Sequence, residues 1–115
     1  MSITLYHNPR CSKSRQTLQL LKDNGHKPII VEYLKTPPDA ATLKQIILAL
    51  ETDANGIMRT GEEDYKAVQE QVAGLNEADK ITWLCEHPMV IQRPIAVHGN
   101  RARIGRPPEN VLEIL

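Results

Sequence analysis

The order of hydrophobic and polar positions predicts that the chain begins with a strand, a helix and a second strand. A short apolar run over residues 2–6 is followed by helical spacing over residues 12–24, and Asn24-Gly25 is a typical C-terminal cap for that helix. Residues 28–34 are rich in β-branched and apolar side chains, which favours a second strand. These segments predict a βαβ unit, whose parallel strands belong in a covered sheet.

The middle of the chain, residues 36–87, has helical spacing throughout and is predicted to be an all-helical insert. Asp39 is expected to cap a helix that ends near Leu50. One helix is predicted over residues 62–73, and another begins at Asn76, where Asn is a favoured cap. The apolar inner faces of these helices are predicted to contain Leu43, Ile46, Ile47, Leu50, Tyr65, Val68, Val72, Ala78, Ile81, Leu84 and Cys85.

The last part of the chain returns to strand patterns. Residues 95–97 and 101–104 are predicted to pair as a hairpin about the turn at 98–100, which contains Gly. Pro107-Pro108 opens a final predicted helix, with Val111, Leu112 and Leu115 as its apolar residues. The chain is therefore expected to be an α/β protein with a ββα unit after the insert, forming a single domain over residues 1–115.

Composition and charge narrow the possible functions. The 14 basic and 14 acidic side chains cancel, so the sequence gives no general reason to bind nucleic acid or a membrane surface. No stretch approaches the roughly 20 apolar residues that span a bilayer, and no signal peptide is visible. The two cysteines, Cys11 and Cys85, are too few for a thiolate zinc site or a secreted disulfide scaffold, so no metal is expected and the cytoplasm is the expected compartment.

Cys11 is the candidate reactive residue because it lies in the predicted turn from strand to helix. The first backbone N–H groups of a helix have no partner inside the helix, and the helix dipole adds partial positive charge there. Arg10, Lys13 and Arg15 contribute three nearby cations. Such surroundings lower a cysteine pKa from about 8.5 to roughly 3.5–7.5. The alternative, a small buried structural cysteine, is disfavoured by these flanking charges.

Several motifs resemble the glutaredoxin-coupled arsenate reductase family. The active-site loop of that family is similar to His7-Asn8-Pro9-x-Cys11-x-x-Ser14-Arg15-x-Thr17. Arg59 falls where the family carries its first arsenate-site arginine, Arg93-Pro94-Ile95 resembles the second such segment, and Gly105-Arg106-Pro107 resembles the third. The chain resembles a short-chain member, because it stops before the longer C-terminal tail of the best-known enzymes, and its Arg10 and Lys13 depart from their small or uncharged residues.

The resemblance implies a thioredoxin-like fold, in which βαβ and ββα units form a four-stranded mixed sheet, and a thiol-dependent reduction of arsenate to arsenite. Cys11 is implied to be the nucleophile, and Arg59, Arg93 and Arg106 are implied to bind the oxyanion. The thiolate and the oxyanion are both negative, and two unit charges about 4 Å apart repel by about 4 kcal/mol at an effective dielectric near 20. Arginine suits this task because its guanidinium stays charged and can offset that repulsion. Taken singly, each arginine has the alternative of a solvated surface charge.

Supporting roles follow from the same resemblance. Pro94 is implied to be the cis-proline that faces the active cysteine in thioredoxin-like folds. His7 is expected to hold the loop as an imidazolium or an N–H donor, with a base role as the alternative. Ser14 occupies the second-cysteine position of a CxxC motif, and its hydroxyl is expected to donate to the Cys11 thiolate. Arg15 is expected to support the loop as one of its cations.

The chain carries one candidate reactive thiol and must borrow reducing equivalents, because a serine cannot resolve a disulfide. The family implies glutathione as co-substrate, glutaredoxin as partner and no bound cofactor. Cys85 is expected to be a packed core residue. Two alternatives stay open: a redox-sensing interaction protein that resembles Spx-type regulators of RNA polymerase, and a general glutathione-linked thiol oxidoreductase with no arsenate role.

Overall fold

The computed structural model describes residues 2–115, and their internal contacts divide them into two units. The first unit comprises the described residues up to Thr36 together with Arg93–Leu115, and the second comprises Pro37–Gln92. The predicted helical insert, 36–87, falls almost entirely within the second unit. The expectation of a single domain over residues 1–115 stays a prediction, and Met1 lies outside the described residues.

The first unit is built on the predicted four-stranded mixed sheet. Its elements are β1 Ile3–His7, α1 Ser12–Asp23, β2 Ile29–Glu32, β3 Ile95–His98 and β4 Arg101–Ile104. The strands lie in the order β2-β1-β3-β4, with β1 and β2 parallel, β3 antiparallel to β1, and β4 antiparallel to β3. This topology confirms the predicted α/β, thioredoxin-like arrangement of a βαβ unit joined to a ββα unit.

The core of the first unit lies on one face of the sheet, beneath α1 and the C-terminal segment Pro108–Ile114. Alternate residues of β1 are buried, as its period of two requires. They belong to one buried cluster with side chains from α1, β3 and the C-terminal segment. This cluster consists of Ile3, Leu5, Leu21, Ala96, Val111 and Ile114. The cluster fixes β1 and α1 against each other, and therefore fixes the turn that joins them.

Two details of the first unit differ from the prediction. The final helix is a 3-10 helix, Pro108–Ile114, and of its predicted apolar residues Val111 is buried while Leu112 and Leu115 are exposed. With three residues per turn, the inward face consists of positions three apart, which here are Val111 and Ile114. The second strand is also shorter than predicted, because the Lys35 and Thr36 N–H groups both donate to the Glu32 carbonyl and close a turn.

The open edge of the sheet corrects one further expectation. The parallel strands were expected to be covered, yet Ile29 and Ile30 of β2 are 54% and 45% exposed. Because β2 is the terminal strand in the sheet order, only β1 adjoins it. A position at the edge therefore explains why an apolar strand carries exposed side chains.

The second unit is helical, as predicted. Asp39 caps its first helix by accepting from the Thr42 N–H at 2.8 Å, and Asn76 caps its last helix by accepting from the Asp79 N–H. These caps confirm both predicted helix starts, and the first and last helices pack against each other. The bounds are α2 Ala40–Ala49, α3 Glu63–Lys66, α4 Gln69–Ala73 and α5 Glu77–Glu86, with 3-10 turns at Asn55–Ile57 and Pro88–Val90.

The prediction of one continuous helix over residues 62–73 is wrong. The segment forms two short helices, α3 and α4, separated at Val68, whose φ of −133° lies outside the helical region. Only Val72 is buried, while Tyr65 and Val68 are half-buried. Most helical stability in proteins comes from packing of an apolar face, and this segment has too few buried side chains to hold a longer helix.

The burial of residues along α5 agrees only in part with the prediction. Ala78 was expected on the buried side of α5 but is exposed, whereas Ile81 and Leu84 are buried as predicted. Cys85 is half-buried rather than fully packed. Within residues 2–115, no helix has the length and apolar character that crossing a bilayer requires.

Candidate active site

Cys11 lies between β1 and α1, in the turn that the sequence predicts. It is the N-cap residue of α1, with extended backbone angles of −93° and 125°, and its side chain makes no cap hydrogen bond. Its own N–H donates to the Asn8 carbonyl at 3.0 Å, and its carbonyl accepts from the Arg15 N–H at 3.0 Å. The half-buried thiol is thus presented at the amino end of the helix.

The surroundings of Cys11 lower the pKa of its thiol, as the sequence predicts. Burial alone would raise that pKa, but hydrogen bonds from the backbone N–H groups of Ser14 and Lys13 and from the Arg93 side chain favour the thiolate. The charge of Arg93 acts in the same direction. The helix amino terminus and one distant arginine therefore more than offset the burial.

The predicted source of this effect is partly wrong, because the flanking cations are engaged differently. The Arg15 guanidinium donates to the Pro9 carbonyl at 2.9 Å and so braces the loop. Lys13 acts on the sulfur through its backbone N–H, and Arg10 has an exposed side chain. The cations next to Cys11 in the sequence therefore support or surround the loop. The charged side chain that stabilises the thiolate is Arg93, which is distant in the sequence.

Arg106 also reaches the sulfur, from 95 positions away in the sequence. Its Nη2 lies 3.6 Å from Cys11 Sγ, and its Nε donates to the Arg93 carbonyl at 2.7 Å. The Arg93-Pro94 peptide bond is cis, as the resemblance implies, and the Arg106-Pro107 bond is also cis, which was not predicted. Two of the three predicted arginines, Arg93 and Arg106, are therefore brought together at Cys11.

His7 and Ser14 form a buried polar pair beneath the loop. His7 Nδ1 lies 2.6 Å from Ser14 Oγ, and that oxygen accepts from the Asn8 N–H at 3.0 Å. The Ser14 hydroxyl therefore contacts His7, whereas it was expected to donate to Cys11. The contribution of Ser14 to the sulfur comes from its backbone N–H.

The protonation state of His7 follows from its burial. Burial lowers its pKa, the Glu32 carboxylate raises it and Arg15 lowers it, with a net lowering. A lowered pKa favours the neutral ring at pH 7, so of the two expected forms the imidazolium is disfavoured and the neutral N–H donor remains. A neutral ring bonded to a buried hydroxyl holds the loop without adding charge to the site.

Asn8 has a role in the loop that the sequence analysis did not assign. It is buried, its Oδ1 accepts from the Arg10 N–H at 3.0 Å, and its carbonyl accepts from the Cys11 N–H. Asn side chains characteristically bond to the backbone two residues on, which is the spacing from Asn8 to Arg10. The Asn-Pro pair after the strand was therefore a usable signal for this turn.

Arg59 belongs to the second unit. Its backbone N–H donates to the Val90 carbonyl at 2.6 Å, next to the isolated bridge between Met58 and Ile91. Its Nη2 lies 3.5 Å from Glu62 Oε1, and its Nη1 is buried with no hydrogen-bond partner among residues 2–115. Its expected place beside Cys11 stays a prediction.

The chemistry available at Cys11 is that of a thiolate among guanidinium groups. Across the described part of the chain, no group of three or more His, Cys, Asp or Glu side chains could hold a metal ion. A thiolate is a nucleophile, and guanidinium groups bind oxyanions through paired N–H donors. The arrangement suits attack on a negatively charged substrate.

Comparison with known proteins gives a consistent result. A sequence profile described as the ArsC family matches residues 6–114. A Haemophilus influenzae protein named arsenate reductase is 45% identical over 100% of both chains, and the uncharacterized protein YfgD of Escherichia coli is 48% identical over 98% of this chain and 96% of its own. The solved structure of an arsenate reductase from Vibrio cholerae matches with a TM-score of 0.95 at 44% identity, covering 100% of this chain and 98% of that one. The chain belongs to the ArsC family.

Proposed function

We propose that this protein is an oxidoreductase that reduces arsenate to arsenite, with Cys11 as the nucleophile. The observation that supports this most directly is the contact of a low-pKa thiol with the Arg106 guanidinium, next to Arg93. Relatives that are similar over their full length carry the name arsenate reductase. Two guanidinium groups beside a thiolate suit an anionic substrate such as arsenate.

The first step of the proposed reaction joins sulfur to arsenic. The Cys11 thiolate attacks the arsenic of arsenate, a sulfur–arsenic bond forms, and one oxygen leaves as water after protonation. Because both reactants are anionic, their repulsion must be offset for the attack to be fast. Arg93 and Arg106 would bind the remaining arsenate oxygens through bidentate contacts while they stabilise the thiolate.

The later steps need two external thiols, since arsenic gains two electrons. Glutathione adds to arsenic and a second water leaves. The glutaredoxin thiolate then attacks the glutathione sulfur, a disulfide forms between those two molecules, and the electron pair of the broken sulfur–arsenic bond reduces As(V) to As(III). Hydrolysis of the remaining bond releases arsenite and restores the Cys11 thiol.

Arg59 is proposed as the third oxyanion ligand. The support is the resemblance of its position to the family motif and the buried Nη1, an N–H donor that an arsenate oxygen could satisfy. Arg59 is already paired with Glu62, whose carboxylate would compete with the substrate for the guanidinium. Arg59 is therefore expected to contribute less than Arg93 or Arg106.

The proposed reductants, glutathione and glutaredoxin, also indicate the compartment in which the reaction would occur. Cytosolic thiol systems keep glutathione and glutaredoxin reduced, so we place the reaction in the cytoplasm. The exposed Arg10 and Lys13 at the loop surface form no ion pair within residues 2–115, and they would attract the anionic substrate and co-substrate.

The test is arsenite production by the purified protein with arsenate, glutathione and glutaredoxin. We expect the wild-type chain to produce arsenite, and Cys11→Ser to reduce the rate to background because the nucleophile is lost. Cys85→Ser is the matched control, since it removes the other thiol, and should retain most of the activity. A wild-type protein that leaves arsenate unchanged under these conditions would refute the proposal.

A further inference from the structure

Gly105 lies in an unusually tight place directly before Arg106. Its N–H donates to the Pro94 carbonyl at 2.9 Å. A Cβ atom at this position would lie 2.5 Å from Thr17 Oγ1, 3.2 Å from Thr17 Cγ2 and 2.9 Å from Pro94 Cγ. Contacts shorter than 3.0 Å are essentially absent from real Cβ atoms, so any side chain at residue 105 would force a displacement.

The surrounding groups have little freedom to move away. Thr17 is fully buried in α1, it is β-branched, and its hydroxyl donates to the Lys13 carbonyl at 2.8 Å. The Pro94 ring is closed and buried, and its carbonyl already holds the Gly105 N–H. The φ of Gly105 is not positive, so the position needs glycine for space and not for backbone conformation.

We propose that Gly105 is a positioning residue for the proposed reaction, because its missing side chain lets Arg106 reach the Cys11 sulfur. The end of β4 can lie against Thr17 and Pro94 only if residue 105 has no Cβ. That approach places Arg106 where its Nε bonds to the Arg93 carbonyl and its Nη2 lies 3.6 Å from Sγ. Gly105 acts through Arg106 and does not itself touch the substrate.

The geometry sets the expected size of the effect. Relieving the contact with Thr17 requires a shift of about 1 Å, from 2.5 Å to an ordinary contact of at least 3.4 Å. At 3.6 Å the contact between Arg106 Nη2 and the sulfur is already long, so a shift of this size away from Cys11 would break it. Misplacement by 1 Å in an active site can cost roughly a hundredfold in rate.

The experiment measures the pH dependence of Cys11 alkylation by iodoacetamide in the folded full-length chain, and arsenate reduction beside it. We expect Gly105→Ala to raise the midpoint of the Cys11 alkylation profile and to lower kcat/KM for arsenate by roughly tenfold to a hundredfold. Gly74→Ala is the matched control, because the nearest atoms that a Cβ there would meet are the Glu70 and Gln71 carbonyl oxygens at 3.7 Å, which is ordinary contact.

A second variant separates positioning from loss of stability. Thr17→Ala removes both Thr17 atoms that crowd residue 105, so Gly105→Ala combined with Thr17→Ala should recover part of the lost reactivity. Recovery should be incomplete, since Pro94 Cγ stays at 2.9 Å. The double variant also keeps the test available if Gly105→Ala alone does not fold.

Two outcomes would overturn the inference. One is a folded Gly105→Ala chain with the wild-type alkylation profile, and the other is a folded double variant that reacts no better than the single one. The inference rests on the proposed function only for its activity measurement. If the wild-type chain fails to reduce arsenate, the proposed function is lost, while the alkylation profile still decides whether Gly105 positions Arg106 at the sulfur.

Discussion

The two cysteines of this chain lie at opposite ends of helices and have opposite chemical character. Both are half-buried. Cys11 is the N-cap residue of α1, and the pKa of its thiol is lowered. Cys85 is the second-last residue of α5, and the pKa of its thiol is raised. Burial disfavours the thiolate at both sites, so burial cannot explain the difference.

The difference comes from what surrounds each sulfur. At Cys85, burial is the largest cause of the raised pKa, and the carboxylates of Asp39 and Glu86 raise it further. At Cys11, free N–H groups at the helix start and a guanidinium overcome the burial. Since a helix carries partial positive charge at its amino end and negative charge at its carboxyl end, the two positions differ before any side chain is considered.

The comparison shows how the thiol of one residue type can have a lowered pKa in one place and a raised pKa in another. Both helices begin at capped or tightly turned residues, but only α1 presents a cysteine at its start. Arginines from a distant segment then complete the site at that end. Position on the helix favours the thiolate, and the tertiary fold brings guanidinium groups to it.

Among variants that keep the Cys11 nucleophile, the largest effect is expected when the guanidinium groups are removed. Arg93→Ala and Arg106→Ala should each lower kcat/KM for arsenate by roughly a hundredfold to a thousandfold, because each group would stabilise charge in the transition state. Arg93→Ala should also raise the pKa of Cys11 toward that of Cys85, because Arg93 is one of the groups that lower it. Arg106→Ala should act in the same direction by removing the Nη2 contact with the sulfur. Steady-state kinetics of arsenate reduction and a thiol titration provide the measurements.

The matched control for these variants is Arg101→Ala. Arg101 is an exposed arginine of the same unit whose guanidinium donates to the Glu113 carbonyl at 3.0 Å. The same variants also test the general thiol oxidoreductase alternative. If reduction of glutathionylated protein survives in Arg93→Ala and Arg106→Ala while arsenate reduction is absent even from the wild type, that alternative replaces the present proposal.

A second test compares the two thiols directly by their pH dependence. Alkylation requires the thiolate, so a lowered pKa moves the midpoint of the rate profile to lower pH and a raised pKa moves it to higher pH. At pH 7, Cys11 should therefore react at least roughly tenfold faster than Cys85. Mass spectrometry of peptides from the folded protein measures both in one sample. Equal rates at the two sites would contradict the electrostatic account.

Much of the fold could be predicted from the sequence because its signals are local. The caps at Asp39 and Asn76 and the Asn24-Gly25 stop were predicted and confirmed, since each depends on bonds within a few residues. The break at Val68 was missed because helical spacing does not say whether an apolar face finds anything to pack against.

The site was predictable only where a motif or a local rule applied. The lowered pKa of Cys11 follows from the helix start, which sequence indicates. The contact with Arg106 spans 95 positions, and only a family resemblance could propose it. The His7–Ser14 bond was not predicted, because the direction of a hydroxyl depends on packing that no sequence pattern carries. The tight space at Gly105 is a tertiary property for the same reason.

The smallest predicted effect concerns the carboxylates that face Cys85. Asp39→Asn combined with Glu86→Gln removes two negative charges, so the pKa of Cys85 should fall and its alkylation at pH 8 should become roughly twofold to threefold faster. Asn keeps the cap of α2, because its Oδ1 can still accept the Thr42 N–H. The measurement is made in Cys11→Ser, where Cys85 is the one remaining thiol.

If Cys85 reacted more slowly or at an unchanged rate, the carboxylates would have no part in its raised pKa, and burial alone would remain as the cause. A parallel measurement with Cys11 present serves as the control. The two substituted carboxylates are not among the causes that set the Cys11 pKa, so its alkylation profile should not move. If it does move, the two helix ends are coupled, and the contrast between them is not set by local surroundings alone.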